Sequence, residues 1–203
     1  AHPILTAFAL IMFEDIRVNK ELDTGLVSRA VNFVEGQQNG DGSWDTTQHT
    51  KNQVIPWDSL RTTCIVANGL AANGEGDAGR LGSAVSYIDT EMNELEADTY
   101  TLAMCANALL EAAPGEAVTD VTVTELLNRA QTEGDKVFWD SDFPGVSNAG
   151  GEVIQVETTA LATQAMFKMD VPPAMAGDAL KFLASKKSPD GNFRSTQGTI
   201  QAL

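Results

Sequence analysis

The chain has few of the residue types that usually build reactive sites. Among its 203 residues are two cysteines, two histidines and three tryptophans, and aromatic residues make up 6%. Two cysteines are too few for a scaffold held together by disulfides. No pair of histidines stands at helical spacing and no Cys-x-x-Cys is present, so the ligand pattern of a zinc site is missing. We therefore predict no catalytic residue, no metal site and no cofactor site in this segment.

Positive charge is also scarce. Thirteen Lys and Arg residues face 28 Asp and Glu residues, which gives a net charge of −15. Nucleic acids and anionic lipids both attract clustered basic residues, so we expect the chain to bind neither. The longest apolar run, Ala7 to Phe13, is far shorter than the roughly 18 residues that a membrane helix needs. No basic segment precedes an apolar one, so we expect no signal peptide here and no membrane insertion.

Cys64 and Cys105 each stand inside an apolar pattern of helical period. We interpret both as small buried apolar side chains, which is the usual state of an unpaired cysteine in a core. A disulfide between them is the alternative, provided that their helices are neighbours. Cysteine usage therefore does not decide the redox compartment.

Apolar residues recur at helical spacing along almost the whole chain, with prolines and glycines at the predicted helix ends. A long segment from Asp135 to Val153 lacks this pattern, and its residues Lys136 to Trp139 could form a short strand. We predict eight helices, with a ninth beginning near Ser195: 3–19, 23–38, 57–72, 77–92, 96–113, 118–132, 154–169 and 173–187.

The two ends of the sequence suggest a piece of a larger fold. The ninth helix stops at Leu203 without a cap, and a helix this short is marginal alone. The first helix begins almost at residue 1. We expect residues 1–203 to form one partial domain, truncated at both ends, although a natural terminus with a short docked helix is the alternative.

An internal repeat relates residues 30–44 to residues 179–193 without gaps. Each copy has a helix, an Asp-Gly turn and an aromatic residue that would fold back over the helix end. The aspartate can bond the backbone two residues on, and the glycine supplies a positive φ. Since one hairpin cannot bury its apolar stripe alone, several must pack together, as an open superhelix or a closed ring. The turn residues that we predict are Gln38, Asp41, Gly42, Trp44, Asp190, Gly191 and Phe193.

Residues 37–44, Gln-Gln-Asn-Gly-Asp-Gly-Ser-Trp, resemble the Gln–Trp turn motif of α/α-toroid proteins. These proteins include terpene cyclases, protein prenyltransferases and the thioester-containing domain of alpha-macroglobulins and complement proteins. Segments 5–10, 152–162 and 190–203 resemble the last of these groups, in order and in spacing, over nearly the whole chain. The residues that carry this resemblance are Thr6, Phe8, Glu157, Thr159, Ser195, Thr196, Gln197 and Thr199. Gly198 stands where the family usually has an acid.

The resemblance implies an all-α fold, an incomplete α/α toroid in which helical hairpins pack in a ring. In the family, a Cys-Gly-Glu-Gln motif forms an internal thioester, but neither cysteine here is followed by Gly-Glu-Gln. The implied role is non-enzymatic: a scaffold in a larger protein that traps proteases or covalently tags targets. The implied partners are other domains of the same parent chain and, through the parent, target proteases or surfaces. The resemblance implies an extracellular, periplasmic or cell-surface parent. The absence of Asn-x-Ser/Thr sequons favours a bacterial one.

Two other function classes stay open at this point. One is a non-catalytic helical-repeat binding domain of a surface protein. The other is a truncated enzyme with the same type of fold, such as a terpene cyclase or a polysaccharide lyase. The segment closest to an acidic catalytic motif is Asp140-Ser141-Asp142, which we interpret as a solvated loop.

Two further patterns are weak signals. Gly74 to Gly79 spells the glycine pattern of a dinucleotide site, but it follows a predicted helix rather than a strand, so we interpret it as a helix–helix linker. Trp44, Trp57 and Trp139 could line a groove for a sugar or a peptide, although Trp44 is better explained as the turn aromatic.

Overall fold

The computed structural model describes residues 2–17, 20–45, 58–94, 96–145, 150–193 and 195–202. Helices dominate these ranges, and a single short hairpin interrupts them. In chain order the elements are α1 (Pro3–Arg17), α2 (Thr24–Glu35), α3 (Ser59–Ala72), α4 (Ala78–Glu94), α5 (Thr99–Ala112), α6 (Ala117–Asn128), β1 (Gln131–Glu133), β2 (Lys136–Phe138), α7 (Glu152–Lys168), α8 (Met175–Lys186) and α9 (Thr196–Ala202). The predicted all-α class is confirmed.

Two kinds of helix alternate along the chain from α2 to α8. Helices α3, α5 and α7 are buried on nearly all sides; in α5 every residue from Tyr100 to Leu109 is buried. Helices α2, α4, α6 and α8 bury one stripe only, such as Val27, Val31 and Val34 in α2. A helix buried all round lies inside a protein, whereas a helix with one buried stripe lies at its surface. Helices buried on nearly all sides thus alternate in sequence with helices buried along one stripe.

The described residues fall into two compact units. The first comprises positions 1–96 with 111–116, and the second comprises 97–110 with 117–203. In the first unit, α1 packs along α3, α2 packs on α1 and α4 packs on α3. The approach of α1 to α3 is close because residue 69 is a glycine: a Cβ there would lie 2.8 Å from the Ala7 carbonyl oxygen. The Asn73 amide then ties the pair, donating to the Leu10 carbonyl at 2.6 Å.

In the second unit, α7 packs against α8, α9 and β2. The Asn107 side-chain amide of α5 donates to the Leu161 carbonyl of α7 at 2.8 Å, so it joins two helices, as Asn73 does in the first unit. The strands β1 and β2 pair antiparallel, and the tip of their hairpin is Gly134 with φ of 65°. Phe138 of β2 stacks on Phe182 of α8 with ring centroids 5.0 Å apart, which places the hairpin against that helix.

Among the described residues, helix ends differ from the predictions by more than two residues in three places. Helix α6, predicted to continue to residue 132, ends at Asn128 because β1 follows it at Gln131. Helix α5 begins at Thr99 rather than at 96, since the Asp98 carboxylate accepts from the Thr101 N–H at 3.0 Å and so caps the first turn. Helix α2 ends at Glu35 rather than at 38. The predicted strand from 136 is confirmed as β2.

Cys64 and Cys105 are both fully buried, and neither is a free thiol because both are disulfide-bonded. Their burial was predicted, but the interpretation as unpaired apolar side chains is wrong. Sequence periodicity shows which face of a helix is buried and not which helices are neighbours, whereas a disulfide depends on the distance between neighbours.

None of the helices described here is both long enough and apolar enough to cross a membrane.

Candidate functional site

Turn aromatics are fixed in the same way at three places in the described chain. The first is Trp44, which is fully buried. Its backbone N–H donates to the Thr63 hydroxyl of α3 at 3.0 Å, and its indole N–H donates to the Val34 carbonyl at the end of α2 at 2.7 Å. The indole therefore satisfies one of the helix-end carbonyls that have no partner within the helix. We call the bond from a turn aromatic's backbone N–H to a threonine hydroxyl of the following helix an aromatic latch.

The second aromatic latch holds Trp139, also fully buried. Its backbone N–H donates to the Thr159 hydroxyl of α7 at 3.0 Å, and its indole N–H donates to the Leu126 carbonyl of α6 at 2.6 Å. The suggestion that Trp139 lines a groove is therefore wrong. Sequence reasoning missed this turn because a hairpin replaces the Asp-Gly turn. The available signal was the Trp-to-Thr separation, 20 residues here against 19 in the first turn.

The third aromatic latch holds Phe193. Its backbone N–H donates to the Thr199 hydroxyl of α9 at 2.9 Å. Phenylalanine has no ring N–H, and here the ring joins an apolar cluster with Val156, Phe182 and Leu183. Thr159 and Thr199, two of the residues that carry the family resemblance, are thus both acceptors in aromatic latches.

The two copies of the sequence repeat share one turn geometry. In the first, the Asn39 N–H donates to the Ser43 carbonyl at 2.8 Å, and the Gly42 N–H donates to the Asn39 carbonyl at 3.1 Å. The second has the same pair of bonds: Ser188 N–H to the Asn192 carbonyl at 2.9 Å and Gly191 N–H to the Ser188 carbonyl at 2.9 Å. The two glycines adopt φ of 92° and 83°. Only glycine takes such values without strain, so the turn requires it.

The side chains of the first turn add further bonds. The Gln38 amide donates to the Gly42 carbonyl at 3.0 Å and to the Arg80 carbonyl of α4 at 2.9 Å, which ties the turn to that helix. Asp41 accepts from the Ser43 hydroxyl at 2.7 Å and from the Ser43 N–H at 3.0 Å. These two bonds favour the carboxylate and hold the pKa of Asp41 below its usual 3.8. In the second turn, Asp190 is exposed.

A buried carboxylate lies at the junction of α7 and α9. Glu157 is 0% exposed, and the Ser195 hydroxyl donates to its Oε1 at 3.0 Å. The Ser195 Oγ in turn accepts from the Gly198 N–H at 2.7 Å, which caps the first turn of α9. The Thr199 hydroxyl donates to the Ser195 carbonyl at 2.8 Å. Because a buried carboxylate is costly without hydrogen bonds, Glu157 and the start of α9 depend on each other.

Gly198 is the position where the family resemblance fails, and the structure gives a steric reason. A Cβ at this residue would lie 2.9 Å from the Ser195 Oγ and 3.1 Å from the Phe193 carbonyl oxygen. A side chain at residue 198 would therefore require the Ser195 hydroxyl and the Phe193 carbonyl to shift.

The remaining resemblance residues do not join this cluster. Thr6 and Phe8 lie on α1 in the first unit, where the Thr6 hydroxyl donates to the His2 carbonyl at 2.9 Å. Thr196 is exposed at the start of α9, and Gln197 contributes backbone to that helix.

The interpretation of residues 140–142 as a solvated loop is wrong for two of its three members. Asp140 is half-buried and accepts from the Ser141 N–H at 2.8 Å and from the Gln155 amide at 2.8 Å. The Ser141 hydroxyl donates to Asp98 at 3.0 Å. Only Asp142 is exposed. Asp140 and Ser141 thus help to support α7 and α5, since Gln155 belongs to α7 and Asp98 caps α5.

Two other sequence features can now be placed. The glycine-rich segment 74–79 follows α3 and runs into the start of α4, as its interpretation as a linker predicts. Trp57 lies outside the described residues. Within the part of the chain that the structure describes, no group of three His, Cys, Asp or Glu residues is placed to hold a metal ion.

A comparison with protein families agrees with this geometry. The family described as the A-macroglobulin TED domain matches this sequence over residues 3–203. The match includes α1 to α9 and all three aromatic latches.

Proposed function

Because the chain belongs to the A-macroglobulin TED domain family, we propose that it is the helical scaffold of a thioester-containing domain whose reactive bond is supplied from outside positions 1–203. The observation that carries this proposal is the state of the two cysteines. A thioester needs a cysteine sulfur that is available to a glutamine side chain. Cys64 and Cys105 are fully buried and already disulfide-bonded, and neither is followed by Gly-Glu-Gln.

The physical role of such a scaffold is to keep water away from the reactive bond until a trigger arrives. Thioesters hydrolyse, so they persist only in a site from which water is excluded. Helices buried on nearly all sides, such as α3 and α7, suit this purpose, because they give a rigid support around which little solvent moves. The aromatic latches fix the turns that connect these helices to their outer neighbours.

The parent protein would then act without turnover. In our proposal, proteolysis of the parent exposes the thioester, and an amine or hydroxyl on the target attacks its carbonyl carbon. The carbonyl–sulfur bond breaks, the target is acylated, and the cysteine thiol is released. The partners would be neighbouring domains of the parent and, through the parent, a protease or a surface. We place the parent outside the cell or at its surface, and the absence of sequons supports a bacterial source.

The test uses the native parent protein and methylamine. Methylamine attacks the thioester to give a methylamide and one free thiol per molecule, which is titrated before and after treatment. Alkylation followed by peptide mapping locates the new thiol. We expect it outside residues 1–203, and we expect a parent with Cys64→Ala and Cys105→Ala to release the same amount.

Two results would contradict the proposal. A thiol released from Cys64 or Cys105 would place the reactive chemistry within this segment. No released thiol in freshly purified protein would mean a relative without a thioester, and the helical array would then be a non-catalytic binding domain.

A further inference from the structure

The chain contains three Asn-Gly dipeptides, Asn39-Gly40, Asn68-Gly69 and Asn73-Gly74. In such pairs the glycine backbone nitrogen can attack the preceding side-chain amide, because no side chain on the glycine hinders it. The structure puts the three pairs in different surroundings. We propose that Asn39-Gly40 is a site of spontaneous deamidation in the folded protein, whereas the other two pairs are protected by the fold.

The first pair is open to solvent. Asn39 and Gly40 are both exposed, in the turn that follows α2. A Cβ built on Gly40 would meet nothing within 4 Å, so base and water can reach the Gly40 nitrogen. The Asn39 amide has to leave only its two hydrogen bonds within the turn, to the Ser43 hydroxyl and the Asp45 carboxylate. The reaction therefore needs no unfolding of a helix.

In the Asn73-Gly74 pair, hydrogen bonds hold both reacting groups, the side-chain amide and the glycine nitrogen. Asn73 is 5% exposed, and its amide nitrogen donates to the Leu10 carbonyl at 2.6 Å and to the Gly69 carbonyl at 3.0 Å. The Gly74 nitrogen, which would have to lose its proton and attack, donates to the Ala71 carbonyl at 3.0 Å. Reaction at Asn73 thus requires these bonds to open first.

The Asn68 pair is held by helix geometry. Asn68 is 8% exposed and lies with Gly69 inside α3. In an α-helix the next residue's N–H points along the axis toward a carbonyl of the preceding turn, and not toward the side chain of its neighbour. This pair also reacts only after local opening.

Deamidation needs no reactant other than water and a base from solution. The Gly40 nitrogen gives its proton to a base in solution and bonds to Cγ of Asn39, the bond from Cγ to Nδ2 breaks, and ammonia leaves. Water then opens the resulting succinimide at either carbonyl, which gives aspartate or isoaspartate at position 39.

The product would weaken the first turn. The Asn39 amide donates to the Ser43 hydroxyl at 3.0 Å and to the Asp45 carboxylate at 3.1 Å. A carboxylate at position 39 cannot donate to Asp45, and it would stand beside a second negative charge. Isoaspartate would also lengthen the main chain between residues 39 and 40. That would displace the two backbone bonds of the turn that leads to Trp44.

The experiment compares the three sites within one molecule. The folded chain is kept at mildly alkaline pH, with a second sample unfolded in guanidinium chloride. Both are then reduced and alkylated, because Cys64 is disulfide-bonded, digested with trypsin and analysed by mass spectrometry. Cleavage after Arg29 and Lys51 isolates Asn39, and cleavage after Arg61 and Arg80 isolates the other two, which fragmentation separates. In the folded sample we expect conversion at Asn39 to be on the order of tenfold or more faster than at Asn68 or Asn73, because the latter react only from opened states. In the unfolded sample we expect all three to convert.

The matched variant is Gly40→Ala, for which the structure has free space. Its side chain hinders the attacking nitrogen, so conversion at Asn39 should fall severalfold while the circular dichroism spectrum stays unchanged. The proposal is overturned if Asn39 is unchanged in the folded chain under conditions that convert it in the unfolded chain. It is also overturned if Asn73 or Asn68 keeps pace with Asn39 in the folded chain, or if Gly40→Ala converts as fast as the parent sequence.

Discussion

Substitution of Gly69 by alanine tests how closely α1 and α3 pack. A Cβ at residue 69 would lie 2.8 Å from the Ala7 carbonyl oxygen and 3.2 Å from the Ala7 Cα. Both are backbone atoms, so no side-chain rotation can relieve the contact and the two helices must move apart. The Asn73 amide bond to the Leu10 carbonyl spans the same pair of helices and would be stretched by that movement.

The expected magnitude follows from two opposing effects. Alanine in place of a mid-helix glycine stabilises a helix by about 1 kcal/mol. Overpacking against atoms that cannot rotate away costs about 2–3 kcal/mol, in the upper part of the usual range. The free energy of unfolding should therefore fall by about 1–2 kcal/mol. For a chain of this size, that lowers the midpoint of thermal unfolding by about 2–8 °C.

Gly82→Ala is the matched control. Gly82 also lies in a helix, α4, but a Cβ there meets nothing within 4 Å. Only the propensity gain applies, so this variant should be more stable than the parent by up to about 1 kcal/mol. Both variants are followed by circular dichroism during thermal and guanidinium unfolding. If Gly69→Ala unfolds at or above the midpoint of the parent while Gly82→Ala behaves as expected, the close approach of α1 to α3 is refuted.

Three further predictions concern the turns and the start of α9. Thr159→Val removes the hydroxyl acceptor of the Trp139 N–H and leaves that buried N–H unpaired, so it should cost about 1–3 kcal/mol in guanidinium unfolding. Thr90→Val, at an exposed hydroxyl on α4, should cost less than about 0.5 kcal/mol. Gly198→Asp, which restores the acid usual in the family, should lower stability by about 1–3 kcal/mol because a Cβ at residue 198 displaces the Ser195 hydroxyl and the Phe193 carbonyl. An equal or higher unfolding midpoint would contradict that packing. Ser43→Ala removes the hydroxyl bond to Asp41, so the Asp41 pKa, measured by NMR titration, should rise toward 3.8. Because the pKa of Asp41 is lowered in the folded state, ionised Asp41 stabilises the fold above pH 3.8, and this stabilisation is lost as the pH falls through the folded-state pKa. Ser43→Ala should therefore lose less free energy of unfolding than the parent as the pH is lowered from 3.8 through that pKa.

The parts of the fold that could be predicted are those with a local cause. The repeat of residues 30–44 at 179–193 predicts the turns at Gly42 and Gly191, since a positive φ and an Asp-Gly pair act over a few residues. Helical periodicity predicts α7 within two residues at each end. The end of helix α6 was predicted four residues too late, because it is set by the hairpin that follows and by the Trp139 indole on the Leu126 carbonyl.

The parts that could not be predicted depend on contacts between distant residues. Nothing local to Cys64 indicates that it is disulfide-bonded, and nothing local to Glu157 indicates that Ser195, 38 residues away, donates to it. The partial burial of Asp140 has the same origin, since its partner Gln155 comes from the next helix. Prediction from sequence places charged side chains in solvent by default. Only the tertiary structure shows where a hydrogen-bond partner allows such a side chain to be buried.

The residues that carry the family resemblance include no cysteine, and several of them hold neighbouring elements together. Thr159 and Thr199 accept the backbone N–H of a turn aromatic, and Ser195 caps α9 while it donates to buried Glu157. Each of these contacts joins one helix to the turn or helix beside it, so losing one leaves a buried polar group without its partner. In this chain these residues therefore support the helical scaffold. The match to the A-macroglobulin TED domain family agrees with this all-α scaffold, whereas the thioester that we propose is tested separately by the methylamine titration.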